Sequence, residues 1–206
     1  ALLLEGARYC AYIQRHIKQI YKFQVIENCP VSNILVDSST EVRKVQGVET
    51  AKGTIKTSCV VNAAGVWSKN IAQLVGLEIP LVAMKHAYII TDNIPEVKHS
   101  PNIRDHDGSI YMRMQGESIY LGGYETNPEI IKDMPTDFQF SLFDLDKSIF
   151  EVHVKNAADI APVFEHVPIK SDICGAESFT PDHKPLMGED PKLAGRAYYS
   201  FVAFRN

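Results

Sequence analysis

Apolar residues recur along this chain in two rhythms, and the switches between them mark its elements. Over residues 2–22, Leu3, Ala7, Cys10, Ala11, Ile13, Ile17 and Ile20 fall at helical spacing, with Arg8, Arg15, Lys18 and Lys22 set among them as a solvated face. The period then drops to two. Phe23–Asn28 reads as a short strand broken by Pro30, and Val31–Val36 resumes in β character. Val42–Ala51 and Gly53–Thr57 alternate about Ala51–Lys52–Gly53, a hairpin signal. Cys59–Val60–Val61 is a run suited to a strand buried on both faces. Asn62–Ala63–Ala64–Gly65 then strips away side-chain bulk where that strand should end. Val66, Trp67, Ile71, Leu74 and Val75 return to helical spacing, and Gly76 stands as a C-terminal stop.

Pro80 marks a boundary, after which period two dominates. Leu81–Thr91 predicts a long strand. Ser109–Met114 and Ser118–Gly122 predict a hairpin about Gln115–Gly116–Glu117, beyond a polar loop from Asp92 to Asp107. Asp137–Ala158 contains a helical stretch, to which Phe143, Ile149, Phe150, Val152 and Val154 give a partly apolar face. Ile169–Phe179 and Ala197–Phe204 predict two further strands. The fold class is therefore α/β to about residue 78, followed by an α+β unit with a mostly antiparallel sheet covered by one long helix.

Composition narrows the function classes. The 206 residues are 45% hydrophobic and 22% charged, which suffices for a globular core. A net charge of −4 with mixed signs speaks against a nucleic-acid partner, and no apolar run spans a bilayer. Cys10, Cys29, Cys59 and Cys174 are widely spaced without a CxxC pair, so they read as reduced, small core residues and not as a disulfide or zinc framework.

Two pairs of residues stand out for chemistry. His86 and Tyr88 lie two apart on one predicted strand and so share a sheet face with Met84; they either serve a site or hydrogen-bond within a core. Tyr111 and Arg113 repeat the spacing, and Arg113 suits either a carboxylate or a surface salt bridge. Gly122–Gly123–Tyr124–Glu125 either lets a ring approach the backbone or simply turns the chain. The small-residue turn after Cys59–Val61 carries the same two readings: outside the carboxyl end of a strand it admits a flat ligand, or it is only a tight strand-to-helix turn.

VVNAAGVWS at 60–68 resembles the strand–turn motif near the end of the FAD-binding domain in the D-amino-acid-oxidase-like flavoproteins. With IENCPV before it, and PLVAMKHAYIIT, NIRDHDGSIYMR, LGGYE and CGAESFTPDHKPLMGE after it, the resemblance narrows to the sarcosine and dimethylglycine dehydrogenase branch of these FAD-dependent oxidoreductases. It covers roughly residues 24 to 190. The resemblance implies residues 1–79 as part of an FAD-binding domain and 80–206 as a substrate domain. It further implies FAD contacts from Val31, Ala63, Ala64, Gly65 and Trp67, although Val31 read alone is equally a core valine. His86 and Tyr88 would be the catalytic pair beside the flavin, with Arg113 and Tyr124 binding substrate: a cation for the carboxylate and a ring for the methylammonium group.

The implied reaction is hydride transfer from an N-methyl carbon to flavin, converting sarcosine to glycine and a one-carbon unit at the formaldehyde level. A dimethylglycine substrate and a non-catalytic regulatory relative of the same fold are the alternatives. The branch also implies a mitochondrial matrix location and an electron-transfer flavoprotein as acceptor. It attaches FAD covalently through an upstream histidine, and tetrahydrofolate belongs to a C-terminal half. Departures accompany the match. No GxGxxG follows a strand, and Ala176–Glu177–Ser178 stands where related oxidases carry a carboxylate-binding Arg. Ser200–Asn206 is bulky where a Gly-rich run is expected. The chain alone is accordingly expected to be a fragment, short of stoichiometric flavin, with apolar surface along the edge of the Cys59–Val61 strand. Asp182 in the Thr180–Gly188 motif reads as a turn-former more than a catalyst.

Overall fold

The computed structural model describes residues 24–39, 43–135, 138, 141–189, 193 and, as backbone, 198–202. The expected helix over 2–22, Cys10, Phe23, Val42, Asp137, Ala197 and the 203–206 end of the chain lie outside the described residues.

Three sheets account for the strands. β1 (Val31–Asp37), β2 (Lys44–Thr50) and β3 (Gly53–Lys56) form an antiparallel ribbon in that order, joined by the expected turn at Ala51–Lys52. β4 (Val60–Asn62) runs into a 3₁₀ turn at Gly65–Trp67 and the short helix α1 (Ser68–Gln73). Gly76 ends this helical segment with a φ of +70°, a conformation that glycine adopts without a Cβ clash. Arg43 Nη1 donates to the Val75 carbonyl at 2.9 Å, satisfying one of the carbonyls that a helix end leaves unpaired. Ile34 and Val45 of the ribbon pack with Ala72, Val75, Leu77, Ile79, Leu81 and Leu193 into one apolar core.

The largest sheet gathers β5 (Val82–Thr91), β6 (Ile103–Asp105), β7 (Ile110–Gln115), β8 (Ser118–Gly123), β9 (Ile130–Ile131) and β10 (Ile169–Phe179). Its order is β10-β5-β8-β7-β6, with β9 also on β5. Helix α2 (Lys147–Ile160) covers one face. Period-two alternation turns Ala87, Ile89, Ile110, Met112, Ile119, Leu121 and Cys174 toward that helix, where Phe150, Ala157 and Phe164 complete a second core. The last strands, β11 (Leu186–Glu189) and β12 (Tyr198–Val202), join β4 in a third sheet, with β12 parallel to β4. The chain therefore crosses back over the expected boundary at residue 80.

Several expectations need correction. Residues 24–28 form no strand. Cys59 precedes β4 and is exposed, as is Val61 at 58%, so this strand is not buried on both faces; its inward residue is Asn62. The helical stretch expected within Asp137–Ala158 is α2, which begins at Lys147. Asp146 sets its start by accepting hydrogen bonds from the amides of Ser148 (2.9 Å) and Ile149 (3.4 Å). Phe143 consequently lies outside the helix and Val152 is exposed; the buried positions are Phe150, His153 and Ala157. The polar loop after β5 contains the short strand β6, and the Thr180–Gly188 turn is held as expected, with Asp182 accepting from the Lys184 amide at 3.2 Å.

Candidate active site

The face of the large sheet opposite α2 is where the chemistry-bearing residues meet. Antiparallel partners share a face, so the register fixes the set. Tyr88 lies opposite Gly122 and Ile173, His86 opposite Gly175, Tyr111 opposite Gly122 and Arg104, and Arg113 opposite Tyr120. Four of the expected site residues, His86 and Tyr88 of β5, Arg113 of β7 and Tyr124 just after β8, thus come to one surface.

Their contacts are aromatic and charged. His86 stacks on Tyr124 with ring centroids 5.8 Å apart at 28°, and Tyr88 stacks on Tyr120 with the same separation and tilt. Tyr111 tilts toward Tyr124 at 6.1 Å, and the Arg104 guanidinium lies 5.2 Å over the Tyr124 ring. Arg113 Nη2 donates to Gln115 Oε1 at 3.4 Å. One glycine makes this packing possible: a Cβ on Gly122 would overlap the Tyr111 ring. One on Gly175, opposite His86, would meet nothing within 4 Å. A cavity of about 370 Å³ lies between α1 and the start of β5 and another at the β7–β8 hairpin, and neither reaches His86; a small cleft against α2 is lined by Glu125, Lys85, Glu129, Asp146 and Cys174.

His86 has a partner that sequence reading does not single out. Its Nδ1 lies 3.3 Å from Glu125 Oε2. Between Tyr88–Ile90, which pair with β8, and Ala83–Met84, which pair with β9, β5 changes neighbours, and Glu125 stands in the connection that makes the change. Burial by itself would raise the Glu125 carboxyl. The hydrogen bond with His86, a backbone hydrogen bond and the fields of His86 and His153 together outweigh it and hold the group below the ordinary carboxylate range. Arg104, Tyr120 and Glu125 were each within reach of a strand-alternation argument only once the register between strands was known.

On the other side of the sheet, His153 of α2 is 2% exposed, lies edge-on to Phe150, and occupies the space that a Cβ on Gly123 would fill. Burial pushes its imidazole below the ordinary histidine value.

The expected cofactor residues form a separate group. Ala63 and Gly65 are exposed in the turn after β4, and Gly65 holds a φ of +57° with open space where a Cβ would stand. A flat group can approach this backbone closely, so the turn fits FAD. Trp67 is half-buried, its indole N–H donating to the Pro135 carbonyl at 3.4 Å. Val31 sits apart in the ribbon, packed against the first core. Among the described residues no cluster of His, Cys, Asp and Glu suits a metal ion, and no helix is long and apolar enough to cross a membrane.

Comparison with known proteins gives the family. The chain is 52% identical over 173 residues to human mitochondrial sarcosine dehydrogenase, covering 84% of this chain and 19% of that protein. It is 31% identical over 168 residues to rat mitochondrial dimethylglycine dehydrogenase, covering 76% and 19%. The chain therefore spans about a fifth of the length of these curated relatives. Among solved structures, L-proline dehydrogenase from P. horikoshii superposes with a TM-score of 0.71 at 23% identity, over 89% of this chain and 46% of that one. The FAD dependent oxidoreductase family model, DAO, matches residues 2–203, and the chain belongs to that family.

Proposed function

We propose that this chain supplies the amine-binding face of an FAD-dependent dehydrogenase that demethylates sarcosine to glycine and a one-carbon unit at the formaldehyde level. The observation that carries the reading is the single sheet face on which His86 stacks on Tyr124 beneath Arg104. An amino acid bearing an N-methyl group needs a cation for its carboxylate, a π-surface for its ammonium, and a base to neutralise that ammonium before the C–H bond can break. Arg104, the Tyr124 ring and His86 adjoin here, and Arg113 lies further along the same face, opposite Tyr120.

In this reading residues 1–79 belong to the FAD-binding domain and 80–206 to the substrate domain, with β11 and β12 returning beside β4. Ala63, Ala64, Gly65 and Trp67 line the cofactor, and Val31 contributes backbone from the ribbon. FAD, when bound, supplies the two-electron acceptor. The chain's own residues do the rest. Tyr124 offers its ring to the substrate ammonium, Arg113 takes the carboxylate, His86 holds the proton, and Tyr88 orients the amine through its hydroxyl. Covalent flavin attachment, a tetrahydrofolate site, an electron-transfer flavoprotein acceptor and a location in the mitochondrial matrix complete the proposal, supported by the resemblance to the mitochondrial dehydrogenases.

The test is anaerobic reduction of the flavin in the full-length protein by sarcosine and by N,N-dimethylglycine. Sarcosine is expected to reduce it with the higher second-order rate, by about 10–200-fold for one methyl group in a fitted pocket. A flavin that stays oxidised with sarcosine overturns the reading, and a preference for N,N-dimethylglycine reassigns the substrate.

A further inference from the structure

Glu125 is a buried carboxylate beside the site, and the account above gives it no role. Its side chain is 8% exposed and that of His86 is 9% exposed. An ionised carboxylate so placed needs a partner. Lys85, Glu129, Asp146 and Cys174 line the same small cleft, and His153 faces it from α2. Lys85 is already engaged, its Nζ lying 2.7 Å from Glu129 Oε1. Asp146 accepts the first amides of α2. Burial pushes the Cys174 thiol up and the His153 imidazole down, so both stay neutral near pH 7. The Glu125 charge reaches His153 and Cys174 through space, but its hydrogen-bond partner is His86, 3.3 Å away.

We propose that Glu125 is the positioning residue for His86: by accepting the Nδ1 proton it fixes the ring's tautomer and leaves the lone pair on Nε2, the atom that takes the proton of the substrate ammonium. The inference rests on the sarcosine reading for the identity of that ammonium. The step balances as follows. The ammonium N–H bond breaks, its electron pair stays on nitrogen, the proton bonds to Nε2, and the imidazolium so formed is matched by the carboxylate already beside it. A carboxylate behind a histidine recurs wherever one imidazole tautomer must be enforced. The Tyr124 ring, stacked at 28°, restricts the tilt of the imidazole, so carboxylate and ring together set its direction.

Two readouts test this. The first is independent of activity. In the chain labelled with ¹⁵N-histidine, with His86 assigned by its loss in His86→Gln, the ring should show a protonated Nδ1 and an unprotonated Nε2. Glu125→Ala should reverse or mix the two. The second uses the full-length protein. Glu125→Gln should slow flavin reduction by sarcosine roughly 10–100-fold, as removing an orienting partner of a working histidine typically does. It should also move the ascending limb of the rate–pH profile to lower pH, and Glu125→Asp should recover part of both. If Glu125→Ala fails to fold, Glu125→Leu, which keeps bulk but removes the acceptor, carries the tautomer measurement. A tautomer unchanged in the variant without an acceptor overturns the proposal, as does a slowed rate with an unshifted profile in Glu125→Gln, since either makes Glu125 structural. A parental rate in His86→Gln would sink the functional reading, while the tautomer measurement still decides what Glu125 does to the ring.

Discussion

Tyr111, Met112 and Arg113 are consecutive on β7, yet they face two different media. Met112, at 1% exposure, is packed under α2 with Ile89, Ile110 and Leu121. Tyr111 and Arg113, on either side of it, belong to the face that carries His86 and Tyr124. The helix-covered face is apolar at its centre, where the His153 ring is held neutral, and a cleft at its margin carries Glu125, Lys85, Glu129 and Asp146. The opposite face is aromatic and charged, with His86 reaching Glu125 and Gly122 lying under the Tyr111 ring. One set of strands thus separates stability from chemistry by the pleat alone. The lesson is practical: substitutions one residue apart on the same strand should affect different observables.

The largest expected effect breaks the comparison on the chemical side. His86→Gln keeps a donor for Glu125 but removes the base, so flavin reduction by sarcosine in the full-length protein should fall roughly 10²–10⁴-fold, read in a stopped-flow trace. Its melting temperature should stay near the parental one, because the buried carboxylate keeps a hydrogen bond. A parental rate would mean that the open face binds without catalysing.

Met112→Ala is the counterpart on the covered face. Truncating a fully buried methionine leaves a cavity and should cost about 2–5 kcal/mol, seen as a lower denaturant midpoint with an unchanged slope. The reduction rate per folded molecule should not change. A loss of rate at full folding would show that the two faces are coupled through the sheet.

Much of this division was legible in the sequence, because it rests on period two. The ribbon, β5, the β7–β8 hairpin and β10 follow from alternation and turn residues, and His86–Tyr88 and Tyr111–Arg113 follow from i, i+2 spacing. What failed depended on non-local facts. Phe143 reads as part of the helical face because it matches the stripe, whereas the cap at Asp146 leaves it outside the helix. Cys59–Val61 looked doubly buried because its β-branched composition carries no record of which neighbours stand beside it. Glu125 and Arg104 emerge only from the register between strands. His153 falls three residues after Phe150 on the same helical face, but a lone histidine there carries no record of what packs over it.

The smallest effect sharpens the comparison as a difference in slope. His153 is buried against Gly123 and Phe150, and Glu125 and His86 are the titratable groups that act on it through space. Burial lowers its folded pKa below the ordinary 6.5, so between those two values the unfolded chain binds more protons than the folded one. Stability must therefore decline as pH falls from about 6.5 toward the folded value. Glu125 acts later and for the opposite structural reason. Its folded pKa lies below the ordinary 4.5, so its contribution is present above that pH and is lost as the pH drops through the folded value. His153→Gln removes the first titration and leaves the second. Urea unfolding of the chain at a series of pH values should then show a flatter dependence for the variant just below pH 6.5. The argument is about slope, so any packing cost of the substitution shifts the whole curve without affecting it. Equal slopes in the upper window would mean that His153 is protonated where it lies, and the covered face would then hold a charge of its own.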